Sequence, residues 1–303
     1  MAGTVDVWID TDVAIGAPWR EVDDAFALLL ASNSPELHVV GVSTTYGNAP
    51  LATTTTVARR VVERLSGGRD RAALQVYPGA ASAGAFAVRT AASDALGARL
   101  VTGSKINYIA LGPLTNFATL LQLHPTLARH IERVFFLGGQ SPAARLGFGP
   151  RGDFVIHDAN VWKDPAAVQT TLESGIPITL VPIEIGGKLT ISRSDLAELK
   201  DSGPRGAFIA DRSWFWFRFW TWYVRNTGGP VFDALAVIAA ATPDLVHAQE
   251  RTATITPAGK LIAQELPSPG SRAVKWVDRF DPQTHDFLVG RLVKRRGAIP
   301  PRR

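Results

Sequence analysis

The sequence predicts an α/β protein: a mainly parallel, open sheet flanked by helices on both faces, with a Rossmann-like core. Three observations carry this. Short, nearly all-apolar runs alternate with segments of helical period through the first two thirds of the chain, and strands apolar on both sides belong to sheets covered on both faces. Turn and cap signals such as Gly112-Pro113, Gly138-Gly139 and Asp164-Pro165 fall at the joints between those runs. No domain-scale linker, repeat or low-complexity stretch interrupts the 303 residues, so residues 1–294 read as one domain and 295–303 as a basic tail.

Taken in order, Val5–Ala31 opens with an apolar strand ending in Asp10-Thr11-Asp12. An irregular segment with Gly16 and Pro18 follows, and Asp23-Asp24 head an apolar helix. Leu37–Thr44 reads as a second buried strand, followed by Tyr46-Gly47-Asn48 and a helix from Leu51 to Leu65. Ile106–Ala110 is strand-like, and Gly112-Pro113 turns the chain into a helix over Thr115–Leu123. Arg133–Leu137 is a further strand, stopped by two glycines. Asp164 is an N-cap with Pro165 at the first helical position, and Gly175 supplies the stop before the strand Ile178–Val181. Ser213–Tyr223, SWFWFRFWTWY, reads as an aromatic helix, either a core or subunit-contact element or a flat wall for a planar ligand. Pro230–Asp233 opens the apolar helix Ala234–Ala241; Thr252–Thr256 and Val274–Phe280 read as late strands, and Thr284–Lys294 as the closing helix. In parallel sheets ligands gather at the carboxyl ends of the strands, which here carry Asp10, Asp12, Thr44–Asn48, Gly112–Asn116 and Gly138–Gln140.

Composition narrows the function classes. With 46% hydrophobic and 19% charged residues the chain has ample material for a core. It has no cysteine, so disulfides and thiolate metal sites are ruled out and a cytoplasmic setting is expected. No secretory leader and no apolar run long enough to span a membrane is expected. The net charge of +5 is carried by Arg291–Arg303, whose six basic residues, once removed, leave −1 on the rest. The basicity is therefore a solvated end rather than a face of the fold, and nucleic acid is not an expected partner.

Four carboxylates, at positions 10, 12, 23 and 24, are emitted around one strand end and one helix start. Packed together they repel one another unless a cation sits among them. Oxygen donors in that number suit a hard divalent ion such as Ca²⁺. The simpler alternative, that Asp23 and Asp24 only cap a helix, leaves Asp10 and Asp12 without a role.

The motifs Asp10-Thr11-Asp12 with Asp23-Asp24-Ala25, Thr44-Thr45-Tyr46-Gly47-Asn48, Leu111–Asn116, Phe136–Gly139, Asp158-Ala159-Asn160 before Asp164–Ala167, and Phe232–Val237 stand in that order along the chain. Together they resemble the inosine/uridine nucleoside hydrolase family, from the first strand to about Lys294. The resemblance implies hydrolysis of the N-glycosidic bond of a ribonucleoside or close analogue, with release of base and ribose. It implies a Ca²⁺ held by Asp12, Asp24, Asp233 and the main-chain carbonyl of Thr115, with Asp10 bracing the cluster. Asp12 is implied as the base that activates a Ca²⁺-bound water, and Asp23, Asn48, Asp158 and Asn160 as ribose contacts. Leu137 and Phe232 would line the sugar or base pocket. A homodimer or homotetramer is implied as well.

Three departures from that pattern stand out. The segment between Asp12 and Asp23 is ten residues long, longer than the family's, and its Arg20 and Glu21 either reach the pocket or bulge into solvent. Asp158 replaces a glutamate. Phe232 replaces a histidine associated with protonating the leaving base, which leaves His157, Tyr46, Tyr108 and Tyr223 as donors by residue type. These departures keep open a weakened homologue that only binds a ribosyl ligand through Ca²⁺. A phosphatase of the haloacid dehalogenase type is the remaining alternative, since it also begins with strand-Asp-x-Asp.

Overall fold

The computed structural model describes residues 3–66 and 74–294; the basic tail expected over 295–303 lies outside them. Its centre is a nine-stranded sheet. In chain order the strands are β1 (Val5–Thr11), β2 (Leu37–Thr44), β3 (Val76–Pro78), β4 (Ile106–Ala110), β5 (Ile131–Leu137), β6 (Ile178–Val181), β7 (Val246–Ile255), β8 (Leu261–Gln264) and β9 (Arg272–Phe280). In space they run β8-β7-β9-β6-β5-β4-β1-β2-β3. From β9 to β3 all neighbours pair in parallel, and β7 alone runs against the rest.

The helices are α1 (Asp23–Asn33), α2 (Leu51–Leu65), α3 (Ala91–Thr102), α4 (Thr115–Leu123), α5 (Ala159–Trp162), α6 (Pro165–Glu173), α7 (Ile183–Gly186), α8 (Arg193–Asp201), α9 (Pro204–Arg218), α10 (Phe232–Ala241) and α11 (Thr284–Leu292). They form two layers because the central strands are apolar on both sides. Val7, Ile9 and Val42 face a core shared with α1, α2, α9, α10 and α11. Trp8, Tyr108 and Phe136 face the opposite core, built with α3, α4 and α6. The alternation Val7–Trp8–Ile9 is the two-residue period of a strand sending successive side chains to opposite faces.

Two features of this frame position the site. The chain leaves β1 for β2 on one side and returns to β4 on the other, so the strand order reverses at β1, the place where open α/β sheets bind ligands. The ends there are level: Asp10 pairs with Ser43 of β2 and with Ala110 of β4. Secondly, α1 and α10 are apolar on nearly every side and pack against each other beneath the sheet. Each starts at the carboxyl edge of the sheet with aspartate in its first turn, so burying the helices also buries their acids.

The second half departs most from expectation. β7 starts at Val246 rather than Thr252, because His247–Glu250 are exposed and hide the strand's period. The aromatic helix begins at Pro204, nine residues before Ser213, and ends in a π-helical turn over Phe219–Tyr223. Helices α3 and α8, set by the capping boxes Thr90/Ser93 and Ser192/Asp195, complete the layers. The closing helix ends at Leu292, short of Lys294.

Candidate active site

The acidic cluster forms where β1, α1 and α10 meet. Asp23, Asp24 and Asp233 are buried, and each offers a carboxylate oxygen within 4.8 Å of the others. Burial and the neighbouring charges push Asp12, Asp23 and Asp233 well above the usual carboxylate range, and Asp24 is raised too. Asp24 and Asp233 lie within interaction distance of each other, and burial raises both carboxyls. Asp24 also accepts from the Thr11 hydroxyl and, at 3.2 Å, from the Asp12 amide. Such a set is self-repelling when ionised and consists wholly of hard oxygen donors, so its residues fit a divalent cation.

Asp12 stands beside this trio and is oriented by Asn48. The Asn48 amide donates to Asp12 Oδ2 at 2.7 Å, and its side-chain Nδ2 donates to Asp12 Oδ1 and Asp24 Oδ2, both at 3.1 Å. Gly47 makes this approach possible: with φ +157°, a Cβ there would stand 1.7 Å from Asp12 Oδ2. Behind them Asp10 is fully buried, accepting from Ser43 Oγ at 2.6 Å and Asn116 Nδ2 at 2.8 Å. Burial pushes Asp10 up to about 6, against those donors. Asn116 is anchored in turn by the Ala80 amide at 2.7 Å, a contact that requires the neighbouring Gly79. Thr115, the first residue of α4, donates its hydroxyl to Asp164 Oδ2 at 2.5 Å, while Asp164 Oδ1 caps α6 by accepting from Ala167 at 3.0 Å.

A cavity of about 360 Å³ opens over the cluster, lined on its polar side by Asp12, Asp23, Asn48, Asn160 and Asp233. Leu111, Leu137, Ile183 and an aromatic wall of Phe154, Trp216, Phe219, Trp220 and Phe232 close the rest. Asn160 is fixed by donating to the carbonyls of Leu111 at 2.9 Å and Leu137 at 3.0 Å. Asp158 is set back from the cavity. Its Oδ2 accepts from the Gly139 amide at 2.6 Å and its Oδ1 caps α5 through the Val161 amide at 3.1 Å, so the side chain one methylene shorter than glutamate serves the backbone. Burial lifts it to about 6.

Of the donors proposed by residue type, His157 lines the cavity. Tyr108 is buried beside Asp10 on the opposite face of the sheet from α1 and α10, Tyr46 donates to the Lys163 carbonyl at 3.1 Å, and Tyr223 is exposed. The inserted loop reaches the cavity rather than solvent: Arg20 and Glu21 line it, and Glu21 Oε2 accepts from the indoles of Trp216 at 2.5 Å and Trp220 at 3.2 Å. Burial pushes Glu21 up to about 7 although both indoles favour its ionised form.

The sequence pattern of the inosine-uridine preferring nucleoside hydrolases matches residues 7–285. The chain belongs to this family. Among its relatives, uridine nucleosidase 1 of Arabidopsis thaliana is 27% identical over 297 residues, spanning 86% of this chain and 81% of the plant protein. The pyrimidine-specific ribonucleoside hydrolase RihA of Salmonella typhi is 27% identical over 267 residues, covering 78% of this chain and 82% of that protein. Two solved structures share the fold. The plant nucleoside hydrolase PpNRh1 superposes with a TM-score of 0.80 at 23% identity, over 95% of this chain and 99% of its own. A purine-preferring ribonucleoside hydrolase from Gardnerella vaginalis gives 0.78 at 22% identity, over 95% and 98%.

This nucleoside hydrolase is thus an N-glycosidase acting on ribonucleosides, and it carries a buried aspartate cluster whose oxygens are close enough to hold a metal ion. No helix among the described residues is long and apolar enough to cross a membrane. Lys163 escaped the sequence reading. It is half-buried within the field of Asp12 and Asp158, and burial lowers its pKa against their pull. A lysine just outside the short helix α5 carries no motif, and only the fold brings it near Asp12.

Proposed function

We propose that this nucleoside hydrolase works with Ca²⁺ held by Asp24, Asp233 and Asp12 together with the Thr115 carbonyl, and that Asp12 is the general base. The observation that supports this most is the meeting of buried acids from β1, α1 and α10 at the floor of one aromatic-walled cavity. When bound, the cation would lower the pKa of a coordinated water and grip the ribose diol, the chemistry an oxygen-rich site offers.

The chain's own residues account for the rest. Asn48 fixes both Asp12 oxygens, so the base is held in one rotamer before it removes a proton from the attacking water. Asp10 keeps Asn116 and Ser43 in register behind it. Asp23, Asn48 and Asn160 line the cavity as ribose contacts, and their charge and dipoles stabilise the oxocarbenium-like sugar as the bond to the base stretches. Leu137 and Phe232 shape the pocket, and Asp158 acts through the Gly139 amide and α5 rather than by touching sugar. No nucleophilic Ser, Cys or Lys is needed.

The exposed rings of Trp214, Trp222 and Tyr223 on α9 and its π-turn offer a subunit contact for a homodimer or homotetramer in the cytoplasm. The deciding experiment measures free ribose from a broad nucleoside panel with chelator-treated protein, with and without added Ca²⁺. Ribose release that depends on Ca²⁺ is expected. Absence of ribose from every nucleoside overturns the proposal, and equal activity in chelator overturns the role of the cation.

A further inference from the structure

The loop that lengthens the Asp12–Asp23 connection does one specific thing: it delivers a carboxylate into an aromatic wall. Glu21 lines the cavity, and its Oε2 takes two indole N–H groups, from Trp216 and Trp220. A carboxylate oxygen has two lone-pair positions, so Oε2 is saturated. Oε1 has no hydrogen-bond partner among the described residues. The two tryptophans are buried and Gly229 leaves room for the Trp216 ring, since a Cβ there would stand 2.2 Å from it. Glu21 is therefore held through Oε2, and as a cavity-lining residue it leaves Oε1 without a protein donor. The surrounding rings, with Phe154 edge-on to Trp220 at 5.8 Å and Phe232 tilted on it at 6.2 Å, suit a flat, apolar-faced ligand.

We infer that Glu21 Oε1 is the acceptor that reads an N–H on the edge of the nucleobase, selecting ribonucleosides whose base carries an imino or amino proton there. This rests on the cavity being the nucleoside site proposed above. A partly buried acceptor left without a donor is costly, so a base lacking the N–H is rejected while one bearing it is held. The lengthened loop and its tryptophan partners thus serve base recognition, apart from the proton transfer at Asp12.

Uridine, 3-methyluridine, inosine, 1-methylinosine and 4-nitrophenyl β-D-riboside are compared with wild type, Glu21→Ala and Glu21→Gln. In wild type, N-methylation should lower kcat/KM by roughly 10- to 100-fold, mainly through KM. Glu21→Ala should lose the same factor on uridine or inosine and show no further loss on methylation. Turnover of the nitrophenyl riboside, whose leaving group has no N–H, should stay within about threefold of wild type. In Glu21→Gln the amide oxygen must face the indoles, which turns its NH₂ donor against the base N–H, so uridine and inosine should fall to the level of their methylated forms. Equal losses on the nitrophenyl riboside would assign Glu21 to the sugar and overturn the inference. Calorimetric binding of uridine and 3-methyluridine separates the two readings: wild type without turnover sinks the hydrolase proposal, whereas equal binding of the pair sinks this one.

Discussion

At the scale of single residues, the site is a chain of dependencies that ends on Asp12. Its two oxygens are held by one residue, Asn48, and its approach to that residue requires the bare backbone of Gly47. Asp12→Asn removes the base and sets its NH₂ against one of the two Asn48 donors. It should lower kcat by roughly 10²- to 10⁴-fold and weaken Ca²⁺ and substrate binding, read by initial rates of ribose release at saturating Ca²⁺ alongside an unchanged circular dichroism spectrum. Gly47→Ala reaches the same place from behind. The added methyl would stand 1.7 Å from Asp12 Oδ2, so the carboxylate must rotate off the Asn48 amide. A shift of that size should lower kcat by about 100-fold and cost ~1–3 kcal/mol of backbone strain. A normal kcat in the Gly47→Ala enzyme would show that Asp12 needs no such alignment.

At the scale of elements, α1 and α10 explain why residues so distant in sequence meet. Both helices are apolar all round, and both carry aspartate in the first turn; packing them together under the sheet leaves their acids one common place. That logic was legible in the sequence: β2, β4, β6, α2 and α4 run over the residues their apolar patterns predict, and Asp23-Asp24 and Asp233 sit at their helix heads. What was not legible has physical causes. The exposed first half of β7, His247–Glu250, has no buried side to reveal its period. The roles of Asp158 and Glu21 depend on which backbone amide or indole the fold brings within 3 Å or so, and no local pattern encodes that. Asp164 gives an element-scale test, because one carboxylate caps α6 and also holds the Thr115 hydroxyl at the head of α4. Asp164→Ala should lower stability by about 1–2 kcal/mol for the lost cap and weaken cation binding through the loosened start of α4. Thermal melts and calorimetric Ca²⁺ titration check the two effects separately, and undiminished affinity would detach Thr115 from the ion.

At the scale of the whole molecule, the buried acids couple stability to both protons and cation. Burial raises Asp10 and Asp158 to about 6, and the cluster of Asp12, Asp23, Asp24 and Asp233 is raised as well. A carboxyl whose folded pKa exceeds its unfolded value binds its proton more tightly when folded. Its contribution is present below the unfolded pKa near 4 and is lost as pH rises through the folded value. For Asp10 and Asp158 this loss falls between about pH 4 and 6, each on the order of 2–3 kcal/mol, and the acidic cluster extends it above pH 6. In chelator the melting temperature should therefore fall from pH 5.5 to pH 8. Ca²⁺ competes with those protons for the cluster, so at a hundredfold excess over its pH 8 Kd it should stabilise by about 2.7 kcal/mol at pH 8, and by less at pH 5.5 with the same Ca²⁺ concentration. Its binding at pH 6 should also release protons, visible as a dependence of the calorimetric heat on buffer ionisation enthalpy. A Ca²⁺-induced melting shift equal at both pH values would mean that the ion binds away from these aspartates, because only a site that protons also occupy can make the two ligands compete.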